Sequence, residues 1–201
     1  MLRSHPVFSR IALLAVKLLI AGTACGAEPA PDPAVSQYGT LNPAAPPELS
    51  TFAFLVGTWT GTGTYRDSEG KPTIYELQWV GRYVLNGMAI ADEVRRSEAQ
   101  GGTVDGLTLR YFDANTKAWT VEFLNFVQSF LRQQVNANAG AVTQQGPRIT
   151  IAQTGPGGAP GREVYTVVDA SHFTYSLDFS RPDGGWDEGV VTMKLERKEK
   201  P

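Results

Sequence analysis

From Val56 onward the chain is a run of short segments in which apolar and polar residues alternate, each closed by a cluster of Gly, Pro, Asp or Asn. Thr58 to Tyr65 sets threonines against Trp59, Gly61, Gly63 and Tyr65, a period of two. That period belongs to a β-strand, whose successive side chains point to opposite faces. The glycines weaken this segment as an ordinary strand and mark curvature or close backbone packing. Further strands are predicted over Thr73–Val80, Tyr83–Val94, Val104–Phe112, Ala118–Leu124, Arg148–Gln153, Glu163–Val168, His172–Ser180 and Trp186–Glu196. Gly81-Arg82 leads from the second strand into the third, and Phe126–Val135 reads as a strand with a short helix as the alternative. Turns are expected at Asp67–Pro72, Gly101-Gly102, Asp113–Thr116, Gly155–Gly161 and Pro182–Gly185.

This is an all-β pattern of about nine or ten antiparallel strands joined by short turns, as in an up-and-down barrel or a sandwich. A barrel is preferred because closure removes the exposed edges of a long meander. No strand-helix alternation points to a parallel sheet. Low charge (19%) and 21 glycines agree with strands and turns.

The first 27 residues read as a secretory signal. Arg3 and Arg10 open it, Ile11–Val16 and Leu18–Ala21 form its apolar middle, and Gly22–Ala27 is its small-residue end. The apolar run is too short for a spanning helix of about 20 residues, and Lys17 interrupts it. Cys25, the single cysteine, either leaves with a signal cleaved after Ala27 or becomes the lipidated first residue of a lipoprotein. Residues 28–48 are rich in Pro and Ala and read as a disordered spacer. The barrel domain takes 49–201, with Glu48–Leu55 a short helical turn placed to cap one end. The expected location is the periplasm or the outside of the cell, with membrane attachment only through a lipidated Cys25.

Without the first 27 residues, 15 basic side chains face 20 acidic ones. A mildly acidic domain is poorly suited to a phosphate backbone or an anionic membrane surface. Neither Gly57–Gly63 nor Gly155–Gly161 runs from a strand into a helix with a following Lys-Ser/Thr pair, so neither is a phosphate loop.

Two patches carry a family resemblance. Leu55-Val56-Gly57-Thr58-Trp59-Thr60-Gly61 resembles the glycine-x-tryptophan opening strand of the lipocalin-like (calycin) group. Phe173–Ser180, Asp183-Gly184-Gly185-Trp186, the closing Arg197 and Gly81–Leu85 resemble a bacterial family of unknown function, DUF1579, in the same group. The resemblance covers residues ~54–197 under the barrel reading. It implies that Gly57 and Trp59 close one end of the barrel and that Arg197, with Lys194 second, packs across the indole. A shared fold does not by itself fix a function.

The candidate site is the barrel interior, with Trp59, Tyr75, Trp79, Trp119, Phe123 and Tyr175 as the expected ligand-binding residues. Tyr65, Tyr111 and Phe179 complete the aromatic set, which lines a cavity or simply fills the core. In the haem-binding nitrobindin-like relatives a histidine on a late strand ligates iron, and His172 matches it by position alone. Alternation sets Phe173, Tyr175, Leu177 and Phe179 on one face and His172 with Thr174, Ser176 and Asp178 on the other, so His172 is expected to point outward. No cysteine pair or second histidine in the domain makes a zinc set. The strand carboxylates Glu76, Asp92, Glu93, Glu122, Asp178 and Glu188 are expected mostly on the solvated face. No nucleophile-base set assembles, so neither a catalytic residue nor a cofactor is assigned. The leading expectation is a non-enzymatic exported barrel for a small apolar or amphipathic molecule. The alternatives are a filled barrel acting as a structural or interaction protein, a haem-binding barrel, and a small-molecule isomerase or hydrolase. Oligomeric state has no signal in the sequence.

Overall fold

The computed structural model describes residues 37–67, 69–97, 103–127, 130–136, 142–154 and 158–199. Eleven strands follow one 3-10 helix, Pro47–Leu55: β1 Gly57–Arg66, β2 Pro72–Val84, β3 Ala89–Ser97, β4 Thr103–Asp113, β5 Ala118–Val127, β6 Phe130–Asn136, β7 Val142–Gln145, β8 Arg148–Thr154, β9 Pro160–Asp169, β10 His172–Ser180 and β11 Trp186–Glu199. The sheet order β6-β5-β4-β3-β2-β1-β11-β10-β9-β8-β7 is an antiparallel meander in which the first and last strands lie side by side. It wraps into a nearly closed barrel, the all-β fold expected from the period-two pattern. The expected signal at 1–27 with Cys25, the spacer as far as residue 36, and the Gly101-Gly102 turn lie outside the described residues.

Several boundaries differ from the sequence reading. The β2–β3 turn is at Leu85–Met88, not at Gly81-Arg82. Leu85 and Asn86 both have positive φ (51° and 56°), and the Gly87 N–H donates to Val84 O at 3.0 Å, so the connection is built on a type I′ turn. Gly81 stays within β2, where a Cβ would meet Leu55 O at 2.2 Å; its role is to let the 3-10 helix end come close. Phe126 and Val127 belong to β5, and β6 begins at Phe130. β7, Val-Thr-Gln-Gln, carries too little apolar signal to be read as a strand. From residue 37 the expected spacer lies against the barrel: Tyr38 is buried, its hydroxyl is 2.8 Å from Thr58 Oγ1, and its carbonyl accepts from the Tyr83 N–H.

One end of the barrel is sealed. Leu49, Phe52 and Leu55 of the 3-10 helix are buried, with Phe52 edge-on to Trp119 at 5.0 Å and to Tyr165 at 6.1 Å. Trp59 donates from Nε1 to Leu55 O at 3.0 Å and stands edge-on to Phe173 at 4.7 Å. The Arg197 guanidinium lies 3.9 Å from the Trp59 ring centre. It donates to Val56 O at 2.6 Å, Phe54 O at 2.9 Å and Ala170 O at 3.0 Å. Hydrogen bonds from a charged donor contribute ~1.5–3 kcal/mol and a desolvated cation–π contact ~2 kcal/mol, and the terms are not additive. Arg197→Met is therefore expected to lower stability by about 3 kcal/mol in urea unfolding, with Arg197→Lys recovering less than half because one ammonium cannot serve three diverging carbonyls. A loss below about 1 kcal/mol would show that the seal does not depend on this residue.

Candidate functional site

Register assigns the inward face strand by strand: Trp59 stands beside Trp79 and Arg197, Gly63 beside Tyr75, Trp79 beside Val94, Arg110 beside Val121, and Tyr165 beside Tyr175. Along that face burial changes in one direction. Near the 3-10 helix, Trp59, Trp79, Ile90, Val121, Tyr165, Phe173 and Leu195 are buried. One to three inward positions further along the same strands, Tyr65, Tyr75, Val94, Phe123, Glu163, Tyr175 and Met193 are only half-buried. An inward side chain that keeps solvent contact means that the barrel is not filled at its level. Among the described residues the inward face is packed at the helix end and keeps solvent contact beyond it, in the manner of a cup. Glycines widen it: Tyr75 lies over Gly63, and Phe123 over Gly106, where a Cβ would meet the rings at 2.3 and 2.2 Å.

A polar chain crosses the boundary between the two halves. Arg110 and Asp92, both fully buried, form an ion pair through Nη1 and Oδ2. Arg110 Nη2 donates to the Tyr165 hydroxyl at 2.8 Å, and that hydroxyl donates to Glu163 Oε2 at 2.8 Å. The guanidinium lies 5.3 Å from the Phe52 ring centre and 5.7 Å from that of Tyr165. Asp92 Oδ1, Arg110 Nε and Trp79 Nε1 are buried without a hydrogen-bond partner among the described residues. Each such group costs ~1–3 kcal/mol, so the polar centre is not the cheapest way to fill a barrel. Burial pushes the Glu163 carboxyl above the ordinary carboxylate range, and the Arg110 charge and Tyr165 hydroxyl pull it only part of the way back. Burial also raises the Tyr165 and Tyr175 hydroxyls, so both are neutral donors. Glu163 is flanked in register by Ile151 on β8 and Leu177 on β10, neither of which offers a counter-charge.

The aromatic residues proposed from sequence divide between the two halves. Tyr75, Phe123 and Tyr175 are half-buried on the inward face of the open half, and Trp79 lies at the floor, 6.3 Å from Tyr165 and 6.1 Å from Tyr175. Trp59 and Trp119 do not reach the cup, because Arg197 and Phe173 cover the first and Phe52 and Phe112 the second. Gly57, φ 126°, begins β1 at the sealed end. His172 is exposed and pairs through Nδ1 with Asp169 at 2.9 Å, outside the barrel. Among the carboxylates, Asp92 is inward and locked by Arg110, against the expectation of a solvated face. Asp178 is buried too, accepting from the Ser176 hydroxyl, from the Gly189 N–H at 2.9 Å and from Arg162 Nε at 2.8 Å. Burial pushes its carboxyl up, but these donors outweigh that and hold it below the ordinary range, so it pins the β10–β11 irregularity. Glu76 and Glu188 are exposed, Glu93 pairs with Arg95 at 3.0 Å, and Glu122 lies opposite Leu109, in register off the inward face. Among the described residues no group of three His, Cys, Asp or Glu side chains is placed to hold a metal ion. Sequence reasoning missed Arg110, Glu163 and Tyr165. Their signal was an Arg and a Glu at inward parity: Arg110 shares a face with Phe112, and Glu163 with Tyr165.

A carboxyl whose pKa is raised in the fold stabilises the protonated folded state below its unfolded pKa and loses that contribution as pH rises through the folded value. Glu163→Gln keeps an acceptor for Tyr165 without the buried charge. It is expected to raise the melting temperature at pH 7–8 relative to the parent chain, with the difference shrinking below the unfolded value of 4.5. A variant less stable than the parent at pH 8 would contradict this placement of Glu163.

None of the curated proteins compared matches the chain. Among solved structures, "Crystal Structure of Rv2717c from M. tuberculosis" is 16% identical over 77% of this chain and 99% of its own, with a TM-score of 0.48. A redesigned β-barrel is 13% identical over 73% of this chain and 94% of its own, with a TM-score of 0.33. Residues 46–197 match the family described as "Protein of unknown function (DUF1579)", from the 3-10 helix to the arginine that covers Trp59, and the chain belongs to that family.

Proposed function

We propose that this protein is an exported, lipocalin-like carrier that takes one small amphipathic molecule into the open half of its barrel without transforming it. The observation that carries this reading is the burial gradient along the inward face, from buried Leu195 to half-buried Met193 and from buried Phe173 to half-buried Tyr175. A barrel of this class encloses room for a single small ligand when side chains do not fill it. The rings of Tyr75, Phe123, Tyr175 and Trp79 suit an apolar body, and the Glu163–Tyr165 pair at the floor suits a polar end. Binding is favoured over chemistry because Asp92 and Asp178 are engaged in ion pairs and the hydroxyl beside Glu163, that of Tyr165, is kept neutral by burial. Export rests on the basic, apolar and small-residue succession of residues 1–27.

Native mass spectrometry of the protein taken undenatured from a periplasmic extract tests both parts. The expected result is a chain that begins at Glu28, or at a lipidated Cys25, and carries an adduct of defined mass that is lost on unfolding. A bare mass under conditions that preserve weak complexes, together with no uptake of any amphipathic probe, would sink the carrier reading. A full-length chain confined to the cytoplasm would sink export.

A further inference from the structure

We propose that Glu163 is the polar anchor of the cup and that the ligand class is an amphipathic amine, held as its ammonium form; this rests on the carrier reading above. Glu163 faces the interior, and among the described residues the Tyr165 hydroxyl donates to its carboxyl at 2.8 Å. Its neighbours across β8 and β10 are Ile151 and Leu177. The nearest cation along the chain of hydrogen bonds, Arg110, lies beyond Tyr165 and is already neutralised by Asp92. That partly buried carboxylate feels Arg110 only through Tyr165 and in competition with Asp92, and it gains from a ligand that brings a positive charge of its own. The surface beside it is aromatic: Tyr165 and Tyr175 stand 5.2 Å apart, and Trp79 touches both. Aromatic faces next to a carboxylate are the chemistry that recognises an ammonium group, through the negative ring faces together with a charge-assisted hydrogen bond.

The same geometry disfavours an anionic head. A carboxylate or phosphate at the floor would meet Glu163 and Asp92, and the guanidinium that would attract it has Asp92 on Nη1 and Tyr165 on Nη2. Among the described residues Arg96 also lies at inward parity, and its guanidinium is already engaged over the Tyr75 ring, 5.3 Å from its centre.

The test is calorimetric titration of the full chain and of Glu163→Gln with dodecylamine, dodecanol and dodecanoic acid below their aggregation concentrations. The expected result is amine binding about tenfold tighter than alcohol binding, a loss of about tenfold for the amine in Glu163→Gln, and alcohol affinity unchanged within about twofold. Equal or tighter binding of the acid, or amine affinity untouched by Glu163→Gln, overturns the proposal while leaving the cup in place. Failure of all three amphiphiles to bind overturns the carrier reading and the proposal with it. The folded state of Glu163→Gln is checked by its melting curve, so that lost binding is not lost folding.

Discussion

A guanidinium cannot sit in the middle of a barrel unless its charge and its donors are met, and Arg110 is fully buried. Asp92 supplies the charge from β3, the neighbouring strand in the sheet, and Tyr165 supplies an acceptor from β9 across the barrel. The second contact ties together walls that the sheet order keeps far apart. They also decide what lies on either side. Toward the 3-10 helix, rings and branched aliphatic side chains close over the pair, with Phe52 5.3 Å from the guanidinium. Away from it, Tyr165 passes the hydrogen bond to Glu163, and the inward side chains regain solvent contact. A polar layer of this kind leaves unsatisfied groups and stabilises less than an apolar one would, so its place in the fold is understood through what it presents to the cup.

The sealed end makes that asymmetry possible. A barrel open at both ends would expose Phe173, Trp119 and Leu195. The 3-10 helix fills this end, and its last carbonyls need donors because the chain turns straight into β1. Arg197 brings them from β11, which register holds beside β1, while its cationic face covers Trp59. One residue thus joins the start of the domain to its end.

Much of the fold was legible because alternation is a local property. Thr58–Tyr65 and His172–Ser180 show their inward faces without help from the rest of the chain, and the covering of Trp59 by Arg197 was implied by family resemblance. Asn86-Gly87 was a readable hairpin signal, but Gly81 competed with it, and only the approach of Leu55 explains why a glycine stands inside β2. Packing of residues 37–46 was not legible, since Tyr38 owes its burial to Thr58 and Tyr83, partners about 20 and 45 residues away that no local pattern announces. The site itself was half legible. Aromatic residues at inward parity pointed to the interior, whereas Asp92, Arg110 and Glu163 look like ordinary solvated strand charges until register places them against one another.

The claim on which the account turns is that the inward face is filled at Leu195 and open at Met193, two residues apart on one strand. The direct measurement is the rate at which a water-soluble thiol reagent modifies Met193→Cys and Leu195→Cys, each in a chain with Cys25→Ser. The account predicts that the first is modified within about tenfold of the unfolded rate and that the second is protected at least about a hundredfold. Equal, strong protection at both positions would mean a barrel filled from end to end, with no cup for a ligand to enter.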